Sequence, residues 1–463
     1  MNLHKLLIER QAAGKPLRVG LIGAGKFGSM YLSQALRTPG IALVGVADLA
    51  PNRARQALKH VGWPAERLEA GSFARAAADG SVRITDDADA LIAAPEVEIV
   101  IDATGSPAAG IRHVLACCRH GKDVVMVNVE ADALAGPLLA RRAREAGIVY
   151  SLAYGDQPAL ICEMVDWVRC IGMEVVGAGK GTKYLPAYHR STPDTVWDHY
   201  GISAADARAG GMNPQMFNSF LDGTKSALEM AAVANATGLA CPEDGLAFPA
   251  CGVDDLPTLL KPRADGGMLE HRGQVEVVSS LERDGRPVFR DLRWGVYVTF
   301  AGGTDYVRRC FNEYGLRTDA SGEYAAMYKP YHLIGLELGV TVASVGLRRE
   351  STGCAQAWHG DVVATAKRDL RVGETLDGEG GFCVYGKLMP ASRSVAAGGL
   401  PLGLAHGIRM KKAVAAGRPL SWADVEIAEG NDAIDFRRQM ERELGGRASE
   451  SAPAAPGARA LGS

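Results

Sequence analysis

The sequence predicts an α/β chain: a doubly wound parallel sheet first, then an α+β domain, then a small all-β module. Three observations predict it. A complete GxGxxG, Gly23-Ala24-Gly25-Lys26-Phe27-Gly28, lies between two short apolar runs, the second closing on Asp48. Apolar runs and helix-patterned segments then alternate for about 150 residues, the size of one nucleotide-binding domain. Beyond about Gly360 the pattern becomes short strands separated by turns.

The opening stretch, MNLHKLLIERQAAGKP, reads as a short amphipathic helix leading into the strand Leu17–Ile22. It lacks the long apolar core and small-residue cleavage site of a secretory signal. In the glycine loop Gly23 permits the tight turn, Gly25 lets backbone amides approach a pyrophosphate, and Gly28 lets helix pack on strand. The helix that follows offers unpaired N–H groups and a positive dipole end to the phosphates, which makes this a Rossmann-type dinucleotide site. After the second strand, Ile41–Ala47, Asp48 falls 20 residues beyond Gly28, where an acid accepts from a ribose hydroxyl. Asp48 argues for NAD by repelling a 2′-phosphate, whereas Arg53 and Arg55 offer that phosphate a partner, so both nicotinamide cofactors stay open on the residues alone.

Residues 51–78 read as one long connecting helix, and 97–102 as a buried strand. Thr104, Gly105 and Ser106 follow it at the strand edge where open α/β sheets bind ligands, beside the nicotinamide or its ribose. A helix at 108–120, a strand at 123–127, the Asn128-Val129-Glu130 turn, a helix at 133–146 and a strand at 148–151 complete a domain over 1–154. A substrate and dimerisation domain is expected over 155–358. In it, 157–170 reads as helix, 174–178 as strand, 179–192 as a polar loop and 216–237 as one strong helix. The pieces at 275–279 and 294–300 read as antiparallel strands, and 323–345 as helical. The all-β module is placed at 359–430, and the Ala/Gly/Pro/Ser-rich tail 445–463 is read as disordered.

Composition bounds the function. The chain has 463 residues, 47% hydrophobic and 22% charged, as in ordinary globular proteins. Its net charge of −2 gives no reason to expect nucleic acid or an anionic membrane as partner. No apolar run approaches the ~18 residues of a membrane span. Nine scattered cysteines without a CxxC or Cys/His spacing fit reduced thiols in a cytoplasmic protein.

Two clusters in the second domain are candidates for chemistry. Lys180, Lys183, His189 and Arg190, mixed with Thr182, Ser191 and Thr192, suit a phosphate or carboxylate held by charge-assisted hydrogen bonds; a solvated basic loop is the plain alternative. Asp222 and Lys225 stand three apart, on one face if the helix is continuous. Lys225 is then a general acid for hydride transfer, and Asp222 its partner or an oxygen ligand for a divalent cation. An i,i+3 surface ion pair, with Ser219 or Asp222 as a helix cap, is the plain alternative. His332, with Tyr324, Tyr328 and Tyr331 near it, is a weaker candidate.

The order of domains, Gly179-Lys180-Gly181-Thr182-Lys183-Tyr184 and the Leu221-Asp222 helix opening resemble homoserine dehydrogenase. Asn128-Val129-Glu130 and Lys180-Gly181-Thr182 depart from its Asn-Lys and Asn-Gly-Thr signatures. The combination VGLIGAGKFGSM, RTPG, VADL, DGTK, ATAKRDLRVGETL and LPLGLAHGI with VAAGRPLSWADV resembles more closely the 1-deoxy-D-xylulose 5-phosphate reductoisomerase-like (DRL) proteins with a C-terminal SAF (β-clip) domain. That resemblance covers the chain to about Gly430. It implies conversion of 1-deoxy-D-xylulose 5-phosphate to 2-C-methyl-D-erythritol 4-phosphate with NADPH, the committed step of non-mevalonate isoprenoid synthesis. It also implies help from a divalent cation, Mg or Mn, for which no compact carboxylate cluster is visible.

The resulting expectation is a cytoplasmic, homodimeric oxidoreductase using NADP(H), with NAD as the alternative, on a small anionic substrate. Lys225, Asp222 and Lys183 are the catalytic candidates. Lys180, Arg190, Ser191, Ser219, Thr224 and His332 are the substrate-binding ones. Gly23, Ala24, Gly25, Lys26, Phe27, Gly28, Asp48, Arg53, Thr104, Gly105, Ser106 and Asn128 are the cofactor-binding ones. The metal ligands are left unassigned. A dehydrogenase of a small hydroxy-carbonyl acid and a non-catalytic nucleotide or carbohydrate sensor are the rival readings.

Overall fold

The computed structural model describes residues 2–427 and 430–448. Six strands form the first sheet: β1 (Leu17–Ile22), β2 (Ile41–Ala47), β3 (Arg83–Thr85), β4 (Ile99–Asp102), β5 (Asp123–Met126) and β6 (Tyr150–Leu152). Their order is β3-β2-β1-β4-β5-β6 and every pairing is parallel. Helices cover both faces, so β4 and β5 are buried at every position and are apolar apart from Asp102 at the end of one and Asp123 at the start of the other.

The expected 51–78 helix is instead a helix (Pro51–His60), a short 3-10 turn (Ala65–Leu68) and a second helix (Phe73–Asp79). Gly62, in the left-handed region at φ +97, ends the first piece, and Ser72 caps the last by accepting from the Arg75 N–H. The helix expected from 133 begins at Val129, because the Asn128 side chain caps it. The first helix, Leu3–Ala12, is present and buries Leu7.

The second sheet holds β7 (Glu174–Thr182), β8 (Gln274–Ser279), β9 (Val296–Ala301) and β10 (Tyr324–Lys329), in the order β10-β9-β7-β8. β8 runs parallel to β7 and β9 antiparallel to both β7 and β10, so the pieces at 275–279 and 294–300 run in opposite directions as expected but are separated by β7 rather than paired. β7 continues through the glycines expected to form a loop. A side chain at Gly179 or Gly181 would overlap the backbone of Glu276 or Leu292, so the glycines mark close backbone approach within a sheet. The region expected to be helical at 323–345 is β10, a turn and then the helix Gly339–Arg348, which packs back on the first sheet.

The C-terminal module pairs β11 (Gly360–Ala366) with β13 (Val384–Pro390), and β12 (Thr375–Asp377) with β14 (His406–Met410) and β15 (Val425–Glu426). A last helix, Asp432–Ala448, returns to the first domain, so residues 445–448 are helical rather than disordered; 449–463 lie outside the described residues. It is anchored by Arg437, fully buried, which pairs with Asp361 at 2.6 Å and donates to the Leu134 carbonyl at 3.0 Å.

One element joins the three parts. The expected 216–237 helix is broken at Asp222-Gly223, with Gly223 at φ +88, into Pro214–Leu221 and Thr224–Thr237. The second piece is buried along nearly its whole length, against the Val129–Glu145 and Gln157–Cys170 helices and against β8, β11 and β13. Its first residues therefore open at the junction of all three domains.

Candidate active site

The glycine loop has the form of a phosphate cradle. Gly23 sits at φ +94, and a β-carbon there would stand 2.7 Å from the Ala103 carbonyl. Any side chain at Gly28 would overlap the Gly23 carbonyl, whereas a β-carbon at Gly25 would meet nothing within 4 Å. No side chain caps the helix Lys26–Ala35, so its first amides remain available to a pyrophosphate over Gly25. Lys26 is exposed at this opening, and Phe27 packs inward against the first domain's core.

At the end of β2, the buried Asp48 accepts from the Ala24 N–H at 2.9 Å and the Ala50 N–H at 2.8 Å. Arg53, largely exposed, pairs with it at 3.0 Å. At the end of β4, Asp102 accepts from the Thr104 N–H at 2.9 Å and hydroxyl at 2.7 Å, and its other oxygen faces His113 Nδ1 at 2.9 Å. Asn128 donates to the Thr104 hydroxyl at 3.1 Å and the Ser106 carbonyl at 2.8 Å. With Gly105 at φ +65, these bonds fix the loop Thr104–Ser106 where a nicotinamide ring would lie. Asn128 thus shapes the loop from behind. The residues present fit a dinucleotide.

Two residues after Asn128, Glu130 accepts from Lys225 Nζ at 2.7 Å. Lys225 is therefore carried from the central helix to the same strand edge. Burial opposes its charge, but the carboxylates of Glu130, Asp156, Glu229 and Glu379 outweigh burial and hold it well above the ordinary lysine range. The cost appears on the acids. Burial, then the Glu229 charge, pushes Asp156 up to about 6 against the pull of Lys225 and His332. Lys225 is thus a largely buried ammonium that stays charged until an oxygen gaining negative charge takes its proton.

Several candidates turn out to hold the fold. Lys180 lies on β7, buried, in an ion pair with Glu229. Asp222 shares no helix face with Lys225: it sits in the break between two helices, its Oδ2 2.7 Å from Nζ of Lys367 and its Oδ1 accepting from the Thr224 N–H at 2.9 Å. Its geometry to Lys367 is off the hydrogen-bonding direction, so charge holds that pair. Ser191 donates to Asn218 at 2.6 Å, and Ser219 donates back to the Met216 carbonyl at 2.8 Å. The Thr224 hydroxyl accepts from the Gly386 N–H of the C-terminal module at 2.8 Å. These contacts bury the groups expected to face a substrate.

A separate cationic end does exist. Lys183 donates to the His199 carbonyl and lies over the Tyr200 ring at 5.6 Å; Arg293 stands 6.0 Å from the same ring. Burial first, then the Arg293 charge, lowers the Lys183 ammonium. Neither cation has a carboxylate ion pair among the described residues, so both charges remain available to an anion at the Tyr200 ring. Arg190 is exposed nearby in sequence. His332 Nδ1 lies 2.6 Å from the Trp294 carbonyl, next to Arg293, and its charge also reaches Asp156.

Sequence reasoning missed Glu130, Asp156, Glu229, Arg293, Lys367 and Glu379. Only Glu130 carried a signal, as part of the turn that departs from the homoserine dehydrogenase pattern. No group of three or more His, Cys, Asp or Glu residues able to hold a metal ion is present among the described residues; the carboxylates near Lys225 are set around lysines, which is not a divalent-cation donor set. Among the same residues no helix is long and apolar enough to cross a membrane.

Comparison with known families and proteins places these features. Residues 155–338 match the model "Oxidoreductase DRL, catalytic domain", residues 20–151 "Homoserine dehydrogenase, NAD binding domain", and residues 361–426 "SAF domain". A 4-hydroxy-tetrahydrodipicolinate reductase of Cupriavidus necator is 25% identical over 179 residues, 38% of this chain and 60% of that protein. A homoserine dehydrogenase from Thiobacillus denitrificans aligns over 49% of this chain and 50% of its own, at 20% identity and TM-score 0.35. The 1-deoxy-D-xylulose 5-phosphate reductoisomerase from Zymomonas mobilis, in complex with NADPH, aligns over 44% and 58%, at 20% identity and TM-score 0.30. The chain spans between half and three-fifths of the length of these relatives. It carries matches to an oxidoreductase catalytic domain and to an NAD-binding domain.

Proposed function

We propose that this chain, whose residues 155–338 match the DRL catalytic domain between a homoserine dehydrogenase-type NAD-binding domain and a SAF domain, is an NADPH-dependent reductoisomerase of 1-deoxy-D-xylulose 5-phosphate. The observation that carries the reading is Lys225, held by Glu130 two residues from the Asn128 that shapes the nicotinamide loop. Bound in the cradle, the reduced nicotinamide supplies a hydride. Lys225 receives the substrate carbonyl oxygen, stabilises the charge that develops on it in rearrangement and reduction, and delivers the proton that completes the alcohol. Lys183 and Arg293 hold the phosphate at the far end, and Arg190 extends that cationic edge toward solvent.

NADP(H) is favoured over NAD(H) by Arg53. Asp48, already accepting from two backbone amides, is covered by a guanidinium that reaches toward the 2′ position. No step is assigned to a divalent cation. The lysine-paired carboxylates favour one second reading, reduction without rearrangement of a small hydroxy-carbonyl acid. Product analysis decides between them: purified protein with NADPH and the ketose phosphate yields the branched polyol phosphate on the first reading. A straight-chain alcohol, or turnover only with a hydroxy-carbonyl acid, overturns it.

A further inference from the structure

A cavity of about 160 Å³ lies where the middle domain meets the C-terminal module. His189, Gly223, Ala227 and Phe248 wall it from the one, and Tyr385 and Lys387 of β13 from the other. One of its walls is the first turn of the helix that carries Lys225. Ala227 stands two positions beyond Lys225, a little over half a turn, so the two side chains face opposite sides of that helix. Lys225 turns toward Glu130 and Ala227 toward the cavity. The cavity is therefore separate from the reaction centre, across the helix from it.

Its walls are rings held in place. His189 Nδ1 lies 2.7 Å from the Asp222 carbonyl, which can only accept, so this nitrogen carries the proton and Nε2 accepts from the Tyr184 hydroxyl at 2.9 Å. Both nitrogens are spent within the protein, and the imidazole stacks on Tyr385 with centroids 4.4 Å apart. Phe248 stacks on Tyr184 at 4.0 Å and sits at φ +49, in the left-handed region where a phenylalanine is strained. The buried Glu276 carboxylate holds it there, accepting from the Ala247 N–H at 3.1 Å and the Phe248 N–H at 3.3 Å. Both rings close on the helix break: a β-carbon at Gly223 would stand 3.1 Å from His189 and 3.3 Å from Phe248.

One charge pair closes the open end. Lys387 donates to Asp244 at 2.7 Å; the lysine side chain is 19% exposed and the aspartate's 81%. The lysine stem lies across Gly245, where a β-carbon would stand 3.0 Å from it. The cation is thus fixed, whereas the carboxylate is free to swing into water, at small cost because exposed ion pairs contribute little. We propose that this cavity binds a small organic monocarboxylate, which takes Lys387 in place of Asp244 and lays a compact apolar body against Phe248, Tyr385 and Ala227. A cavity of about 150 Å³ accepts benzene, so the volume suits a body of about six heavy atoms. One fixed cation matches one carboxylate, and His189 has no nitrogen left for the further oxygens of a phosphate. An amine would meet Lys387 as a like charge.

The test titrates the full-length protein, with NADPH present to fill the cradle, by saturation-transfer NMR. Benzoate is the probe, a benzene-sized body with one carboxylate, and benzyl alcohol is its uncharged match. Wild-type protein should bind benzoate at millimolar concentration and more tightly than the alcohol. K387M should weaken benzoate by about tenfold or more and leave the alcohol within about twofold. D244N removes the competing carboxylate, so benzoate should bind about two- to fivefold more tightly. Absence of benzoate binding, or benzoate binding that K387M leaves unchanged, overturns the proposal and returns any anion binding to the Lys183 and Arg293 edge. Benzoate affinity unmoved in D244N overturns the displacement of Asp244. Should K387M fold poorly, D244N carries the test, because its position is exposed and its predicted change is a gain. None of these outcomes depends on whether the ketose phosphate is the substrate.

Discussion

The two halves of the site are built on opposite principles. The cofactor cradle is backbone: Gly23 and Gly28, which admit no β-carbon, uncapped helix amides, and loops tied by Asp48, Asp102 and Asn128. The proposed reaction centre rests on side-chain charge, with Lys225 set against Glu130 and, in the fold around it, Lys180 and Lys367 each set against a carboxylate drawn from a distant segment. A backbone site fails by steric exclusion; a charge site fails when one member of a balance is removed and its partner is left buried alone. The two should therefore break differently.

The largest effect is expected at the centre of the charge balance. K225M should lower kcat by about 100- to 10,000-fold, the range for a general acid, while NADPH affinity measured by fluorescence titration stays within about twofold. Loss of NADPH binding instead would move Lys225 into the cradle and blur the contrast. Next comes K367M. It leaves Asp222 buried without its cation, and stability measured by denaturant melting should fall by about 3–5 kcal/mol, with the NAD(P)-binding domain the last to unfold. A mild change would show that Asp222 is not held by charge.

On the backbone side, G28A forces a β-carbon into the Gly23 carbonyl. Dinucleotide affinity should fall by about tenfold or more, about 1.4 kcal/mol, with the Lys225 pH behaviour unmoved. The smallest effect is at the rim. R53A should raise KM for NADPH by about tenfold and leave KM for NADH nearly unchanged, since the guanidinium offers one charge-assisted hydrogen bond to a 2′-phosphate. Equal loss for both cofactors would return Arg53 to being only the partner of Asp48.

The same contrast governs what the sequence discloses. The cradle is contiguous, from Gly23 to Asp48, and each residue's task follows from local backbone geometry; the first sheet was legible for that reason. Lys225 was found as a residue but given the wrong partner. Its true one, Glu130, is 95 positions away, and Asp222 is taken by a lysine of another domain. Helical periodicity ran straight through Gly223, where the left-handed turn breaks it. In GAGKGT the glycines resemble a ligand loop, yet they serve backbone approach inside a sheet, which turns Lys180 from a phosphate ligand into a buried ion pair. Glu379 has no local signature at all, because its place comes from a turn of the C-terminal module held against the Pro214–Leu221 helix by Gln215.

The most direct test of the central claim follows the hydride. With deuterium-labelled NADPH and 1-deoxy-D-xylulose 5-phosphate, wild-type protein should yield a branched polyol phosphate carrying one deuterium by NMR, and K225M should yield essentially none at equal NADPH occupancy. Deuterated product from K225M at the wild-type rate would contradict the account.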